Sequence, residues 1–211
     1  LCLGHTERGC YVLTSESWAF DNIGAHHVRD VEPGEMIVID HTGLHSDRFD
    51  TAGEKHLCSM EYIYFSRPDS NLDGINVHAA RKQLGKVMAQ EAPVEADIVI
   101  GVPDSSTSAA IGYAEASGIP YEMGLIKNRY VGRTFIQPSQ EMRERGVKMK
   151  LSAVHGIVAG KRLVILDDSI VRGTTMRRIV ELLRQAGAME VHLRISSPPI
   201  MHPCHYGIDM H

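Results

Sequence analysis

Two adjacent acidic residues, Asp167 and Asp168, follow an apolar run at residues 163–166 and precede a short polar loop. The apolar run is typical of a strand buried on both faces, as in a parallel sheet. The loop contains Ser169, Gly173, Thr174 and Thr175. Met176, Ile179, Val180 and Leu183 follow at the i, i+3, i+4, i+7 spacing of a helix.

A strand, a glycine-containing loop and a helix N-terminus together form an anion site. The first N–H groups of a helix lack intrahelical partners, and Gly173 allows the backbone to approach an anion closely. The neighbouring carboxylates suit ribose hydroxyls, or Mg²⁺ holding a ribose. The pattern therefore predicts a sugar-phosphate site.

A second strand is predicted at residues 96–102, and it ends at Pro103, Asp104, Ser105 and Ser106. A helix of small residues is predicted directly after it, over Thr107 to Ser117. Ser105 and Ser106 could offer hydroxyls and N–H groups to a second anionic group, or could simply cap the helix. Their position favours neither reading.

The connection from Lys127 to Lys150 contains seven basic residues and two acidic ones, a local charge of +5 in a chain of net charge −4. Its basic residues are Lys127, Arg129, Arg133, Arg143, Arg145, Lys148 and Lys150. A solvated charged loop would have this composition. We favour a cationic lid over a polyanionic substrate, because the connection follows a strand end beside the other two loops.

The alternation of strands and helices predicts an α/β fold, with a parallel sheet flanked by helices and ligands at the carboxyl ends of the strands. Another helix is predicted over residues 77–90, with Ala80, Leu84, Val87 and Met88 inward. Before it, strands are predicted at residues 11–14, 36–40 and 60–65, and a turn at residues 32–35. A short strand is predicted at residues 121–124.

The 211-residue composition, 43% hydrophobic and 23% charged, is typical of a soluble globular protein, and the net charge of −4 disfavours a general nucleic-acid binder. No apolar run approaches the roughly 18 residues of a membrane helix. There is no secretory signal, and the four cysteines are widely spaced, so we expect a reducing, cytoplasmic location.

The Asp167–Thr175 loop resembles the phosphoribosyl-pyrophosphate (PRPP) loop of type I phosphoribosyltransferases. The wider chain resembles amidophosphoribosyltransferase, the glutamine-dependent enzyme that opens purine synthesis. The similarity is carried by residues 58–70, 101–105, 127–136, 165–175, 196–199 and 202–204. It implies a type I phosphoribosyltransferase domain at residues 57–211, incomplete at its C-terminus. Residues 1–56 would be a small β remnant, the end of an Ntn-type glutaminase domain.

The resemblance implies that ammonia, taken from glutamine in the full-length parent, displaces pyrophosphate from PRPP to give 5-phosphoribosylamine. Asp167 and Asp168 would hold ribose hydroxyls and Mg²⁺, with Ser105 also on the metal and Ser106 in the PRPP site. The 5-phosphate would lie in the loop of Ser169, Arg172, Gly173, Thr174 and Thr175. Lys127, Arg129 and Arg133 would be the catalytic cations over the pyrophosphate. Inhibitory purine nucleotides and a homo-oligomer are also implied.

The match departs from the family at two points. The glutaminase of the family uses an N-terminal cysteine nucleophile, and Cys2 does not match it. Glutamine-dependent activity is therefore not expected of this chain, and free ammonia would be the nitrogen source. Cys58 and Cys204 match two ligands of a four-iron cluster found in one branch of the family, whose other ligands lie downstream of His211. Two thiolates are fewer than the four such a cluster takes, so the cluster is expected only in the longer parent.

Two alternatives stay open. One is a phosphoribosyltransferase acting on a nucleobase, although no hood for a base pocket is recognisable. The other is a PRPP-binding regulator without catalysis. Such a regulator would be expected to lack the lid cations and to have a DNA-binding domain, but Lys127, Arg129 and Arg133 are present and the sequence has no helix-turn-helix pattern.

Overall fold

The computed structural model describes residues 1–49, 55–128, 151–171 and 173–205. The chain forms two compact units, Leu1–Ala80 and Arg81–His211. The boundary predicted after residue 56 separates a glutaminase remnant from a phosphoribosyltransferase domain. This assignment stays a prediction. Within the described ranges, no helix is both long enough and apolar enough to cross a membrane.

The first unit is mainly antiparallel. Strands β1 (Cys2–Thr6), β2 (Tyr11–Thr14) and β3 (Ala25–Asp30) form a sheet in the order β2-β1-β3, and helix α1 (Trp18–Ile23) precedes β3. Cys2, Phe20 and Ala25 form its small core. Strands β4 (Glu35–Asp40) and β5 (Gly43–Arg48) pair as a hairpin. The strands predicted at residues 11–14 and 36–40 are therefore confirmed.

The strand predicted at residues 60–65 is wrong. The chain forms a π-helical turn, Glu61–Phe65, which buries Ile63 and leaves Tyr64 exposed. Ser66 closes the turn, because its N–H donates to the carbonyl of Glu61 at 3.1 Å and its hydroxyl donates to the Glu61 carboxylate at 2.6 Å. Strand propensity depends on pairing and packing, and these local bonds override it here. A short hairpin follows, formed by β6 (Asn71–Leu72) and β7 (Ile75–Asn76).

The second unit contains the predicted parallel sheet. Its strands are β8 (Ile98–Gly101), β11 (Arg162–Asp167) and β12 (Glu190–Ile195), in the order β12-β11-β8. Its helices are α3 (Thr107–Ser117), α4 (His155–Val158) and α5 (Thr174–Gln185), and α2 (Val77–Glu91) begins in the first unit. Strands β9 (Leu125–Lys127) and β10 (Leu151–Ala153) form an antiparallel pair. The strand predicted at residues 121–124 is reduced to one bridge from Tyr121 to Val99.

The central strand β11 is covered on both faces, as its apolar run predicts. Leu163 and Ile165 pack into a cluster with residues of α5. Val164 and Leu166 pack into a second cluster with residues of α3. All four side chains are 0% exposed. A strand with both faces buried cannot alternate apolar and polar residues, which explains the unbroken run.

Helix α2 forms as predicted, but one of its expected inward residues does not face the core. Val87 is exposed, and the buried positions follow a stripe through Gly85. A Cβ atom on Gly85 would lie 1.9 Å from the carbonyl oxygen of Ala109, and one on Gly112 would lie 1.9 Å from that of Lys82. The two glycines therefore allow α2 and α3 to approach more closely than larger residues would. The buried residues of α2 are Val77, Arg81, Gly85 and Ala89.

Candidate active site

The acid pair lies at the carboxyl end of β11. In open α/β folds, ligands bind at the side of the sheet formed by the carboxyl ends of the strands. Asp167 ends the strand, and Asp168 follows it with only 7% exposure. The backbone of both is fixed by the residues after β12. The N–H of Ser196 donates to the carbonyl of Asp167 at 3.1 Å, and the N–H of Ser197 donates to that of Asp168 at 2.8 Å.

Hydrogen bonds orient both carboxylates. The Ser106 hydroxyl donates to Oδ1 of Asp167 at 3.1 Å, and the N–H of Asp168 donates to the same oxygen at 2.9 Å. The Ser169 hydroxyl donates to Oδ1 of Asp168 at 2.7 Å. Among the described residues, no hydrogen bond reaches Oδ2 of either carboxylate. One oxygen of each acid is therefore available to a ligand.

The electrostatics of the pair favour a cation. Burial, and then the charge of Asp168, raise the pKa of Asp167 to about 6, although hydrogen bonds from Asp168 and Ser106 act in the opposite direction. No basic side chain within the described ranges forms an ion pair with either carboxylate. Two close acids without a counter-charge repel each other, and a bound cation would relieve that repulsion.

These residues fit Mg²⁺, which prefers oxygen ligands and is commonly held by one or two carboxylates together with substrate phosphates. Asp167 and Asp168 supply the two carboxylates. Ser105, the third predicted ligand, is half-buried in the loop that follows β8, two residues after the cis peptide bond between Pro103 and Asp104.

Ser106 occupies the N-cap position of α3, but its side chain does not cap the helix. Ser106 is 1% exposed, and its hydroxyl donates to Asp167 instead. This bond brings the loop after β8 to the end of β11. The Ser106 side chain therefore links the loop after β8 to the end of β11 and does not cap its own helix, whereas binding of an anionic group by Ser105 and Ser106 stays a prediction.

Lys127 ends strand β9 and reaches the loop after β8. Its Nζ atom lies 2.6 Å from Oδ2 of Asp104, a side chain that is 76% exposed. Lys127 of β9 pairs with Leu151 of β10. The first residue of the basic connection therefore lies beside the residue that directly follows the connection. Arg129 and Arg133 lie outside the described residues, as does the rest of 129–150.

The predicted anion site falls on the loop between β11 and α5. Gly173 has φ +71° and stands at the N-cap of α5, where a left-handed conformation favours glycine. Thr174 and Thr175 begin the helix and are exposed. The N–H groups of this first turn have no partners within the helix, so they can bind an anion. Arg172, the remaining predicted residue of the loop, lies outside the described residues.

Sequence reasoning missed three residues that shape this site: Asp104, Ser196 and Ser197. Asp104 is adjacent to the predicted serines, but its partner Lys127 is 23 positions away. The two serines act through their backbone N–H groups, which nearly every residue type has, so the sequence gives no signal for this role. Only the pairing of β11 with β12 places them beside the acids.

An acid pair at the carboxyl ends of the strands of a parallel sheet lies beside a glycine-capped helix N-terminus, which is the arrangement that the sequence predicts for a sugar-phosphate site. The family model described as phosphoribosyl transferase domain matches residues 75–196, more than half of the chain. The chain belongs to this family.

More specific similarities confirm the resemblance to amidophosphoribosyltransferase. The chain is 71% identical over 199 residues to the amidophosphoribosyltransferase of Bacillus subtilis, covering 94% of this chain and 42% of the relative. It is 59% identical over 199 residues to that of Synechocystis, covering 94% of this chain and 40% of the relative. It therefore spans about two-fifths of the length of these curated relatives.

A solved structure of glutamine PRPP amidotransferase from B. subtilis, complexed with ADP and GMP, superposes with a TM-score of 0.90 at 68% identity. The match covers 99% of this chain and 46% of that one. The high TM-score shows that the chain has the fold of the corresponding part of that protein.

The two predicted iron–sulfur cysteines lie in different units and form no disulfide among the described residues. Cys58 is exposed and Cys204 is half-buried. Their role in a cluster of a longer relative stays a prediction.

Proposed function

We propose that this chain carries the site at which ammonia replaces pyrophosphate on C1 of PRPP, giving 5-phosphoribosylamine. This is the first step of de novo purine synthesis, and in a longer parent glutamine would supply the ammonia. The observation that carries the proposal is the pair of half-buried Asp167 and buried Asp168 at the carboxyl end of β11. Among the described residues this pair has no counter-cation, and Asp167 accepts a hydrogen bond from Ser106. The high identity to amidophosphoribosyltransferases supports the particular reaction.

The acid pair and the helix N-terminus would divide the substrate between them. Asp167 and Asp168 would accept hydrogen bonds from the ribose hydroxyls, and with Ser105 they would hold Mg²⁺. The ion would supply positive charge to the pyrophosphate. Ser169, Thr174, Thr175 and the backbone at Gly173 would bind the 5-phosphate at the start of α5, together with Arg172.

The reaction needs no protein nucleophile. The nitrogen of ammonia bonds to C1 as the bond from C1 to the pyrophosphate oxygen breaks, and one proton passes to solvent. Negative charge grows on the leaving pyrophosphate. Lys127, Arg129 and Arg133 would stabilise that charge, which is the usual source of rate acceleration in such a transfer. Lys127 would first exchange Asp104 for the pyrophosphate, since the two groups would compete for the same ammonium.

Regulation by purine nucleotides is part of the proposal. The B. subtilis relative is described in complex with ADP and GMP. A purine nucleotide carries a ribose and a 5′-phosphate, so it presents to the acid pair and to the α5 N-terminus the same groups as PRPP. Self-association, the Mg²⁺ requirement and the cytoplasmic location also stay predictions.

Pyrophosphate release from PRPP and ammonium, measured with and without Mg²⁺ on the 211-residue chain, tests the proposal. We expect Mg²⁺-dependent release, which Asp168→Asn abolishes together with PRPP binding in calorimetry. Ser152→Ala, an exposed change in β10, is the matched control and should behave as the unmodified chain.

Other outcomes would favour the alternatives. Release only on addition of a purine or pyrimidine base would indicate a nucleobase phosphoribosyltransferase. Tight PRPP binding with no release under any condition would indicate a regulator. An unchanged dissociation constant in Asp168→Asn would contradict the assigned site itself.

A further inference from the structure

The first unit contains a cluster of three potential metal ligands that the proposed reaction does not use. Cys2 lies on β1, and His27 and Asp30 lie on the neighbouring strand β3. One ligand atom from each residue lies within 4.8 Å of the other two. Among the described residues this is the one group of three or more such side chains that could hold an ion.

A β-bulge brings these residues onto one face. In a regular strand, residues three positions apart point to opposite faces, so His27 and Asp30 would diverge. The register changes between Leu3 and Gly4, which pair with Arg29 and His27, so that Val28 is the additional residue. A bulge of this kind re-aims the side chains beyond it. Cys2 lies directly opposite Asp30, which completes the cluster.

The surrounding packing holds the cluster in place. Cys2 and Phe20 belong to the core of the unit, and the Phe20 ring lies 5.8 Å from the His27 ring. Phe20 covers Gly4, where a Cβ atom would lie 2.2 Å from the ring. Cys2 is 5% exposed, whereas His27 is exposed, so the cluster has an apolar floor and one side open to solvent.

The ligand set is sulfur, nitrogen and oxygen, which is typical of zinc. Bond lengths of roughly 2.0–2.3 Å in tetrahedral geometry place zinc ligands about 3.5 Å apart. Nε2 of His27 already lies 3.0 Å from Oδ1 of Asp30, and the whole group falls within 4.8 Å. We propose that Cys2, His27 and Asp30 bind a Zn²⁺-like divalent cation, with water as the fourth ligand.

The competing interpretation is a hydrogen-bonded trio without an ion, in which Asp30 accepts hydrogen bonds from Cys2 and His27. The two interpretations differ in a measurable way. An ion site requires all three ligands and binds the cation through the thiolate, whereas the trio needs no metal and gives no sulfur–metal signal.

Co²⁺ alone is the probe for a test, because a thiolate ligand gives a sulfur-to-cobalt charge-transfer band. The test uses the 211-residue chain with Cys58→Ser and Cys204→Ser, so that the thiols left are Cys2 and Cys10. We expect a single equivalent of Co²⁺ to produce the band and Zn²⁺ to displace it. Cys2→Ser should abolish the band.

His27→Gln and Asp30→Asn should each weaken binding at least roughly tenfold, the lower end of the loss caused by removing an outer-shell partner. Cys10→Ser and His26→Gln are the matched controls, since both residues are exposed and lie outside the cluster. His27→Gln changes an exposed residue, so it remains informative even where Cys2→Ser fails to fold. Absence of the band, or an equal band in Cys2→Ser, would overturn the site, as would equal affinity in His27→Gln.

Discussion

The hydroxyl of Ser106 donates a hydrogen bond to Oδ1 of Asp167 at 3.1 Å across 61 positions of sequence. It joins the start of α3 to the end of β11, and so connects two of the strand ends at which the sequence predicts ligand-binding groups. The bond also favours the ionised form of an acid that burial and Asp168 otherwise push towards neutrality. Single substitutions around Asp167 should therefore change the pKa of its carboxyl group.

Ser106→Ala should raise the pKa of Asp167 further above about 6, because it removes a hydrogen bond that lowers it. PRPP binding in the presence of Mg²⁺ needs the ionised carboxylate, so its pH midpoint should move upward. The fold should lose about 1 kcal/mol, as for a typical buried hydrogen bond. Calorimetric titration of PRPP from pH 5 to 8 measures the midpoint. An unshifted midpoint beside a weakened fold would show that the hydroxyl is purely structural.

Asp167→Asn should stabilise the unliganded chain at neutral pH while abolishing PRPP binding. The folded-state pKa of about 6 lies above the ordinary 3.8, so the folded chain binds the extra proton. Rising pH removes that proton, and the wild-type chain loses stability between pH 4 and 6. The amide keeps an oxygen acceptor for Ser106 and is not subject to this loss.

Urea unfolding of both proteins at several pH values measures the effect of Asp167→Asn. The difference in the free energy of unfolding should be small at pH 4 and grow to on the order of 2 kcal/mol at pH 7. A difference that does not change with pH would contradict the electrostatic explanation. Asp97→Asn is the contrasting variant, because Arg162 lowers the pKa of that carboxyl and its loss should destabilise at neutral pH.

Lys127→Ala should reduce kcat for pyrophosphate release by about 100-fold or more, as for removal of one donor to a developing negative charge. Stability should change by less than about 1 kcal/mol, because the ion pair with Asp104 is largely exposed. Asp104→Asn removes the same ion pair but retains the cation. If both variants lost activity equally, the ion pair itself, and not the Lys127 charge, would be the functional element.

Gly173→Ala should cost roughly 1–2 kcal/mol of stability and weaken PRPP binding, because its φ of +71° is unfavourable for a residue with a Cβ. The added methyl group meets no atom within 4 Å, so the cost comes from the backbone. Gly156→Ala in α4 is the matched control: it also meets no atom, and it has no positive φ. Chemical denaturation of both variants is the measurement, and an equal cost at the two positions would contradict this account.

Residue order by itself determined the features that depend on local periodicity and local conformation. The apolar run at 163–166 specified a strand covered on both faces, the small residues specified α3 over Thr107–Ser117, and the acid pair marked the strand end. These are recognisable because helix and strand periods, and the carboxylates beside a glycine loop, lie within a few residues of one another.

Only the tertiary structure decided which of these residues meet. The Lys127–Asp104 pair, the Ser106–Asp167 bond and the approach of α2 to α3 at Gly85 depend on strand order and on backbone distances between remote segments. The cluster of Cys2, His27 and Asp30 depends on a single bulge in a register. Register and packing are set by the balance of many distant contacts, and residue types read one stretch at a time do not contain that balance.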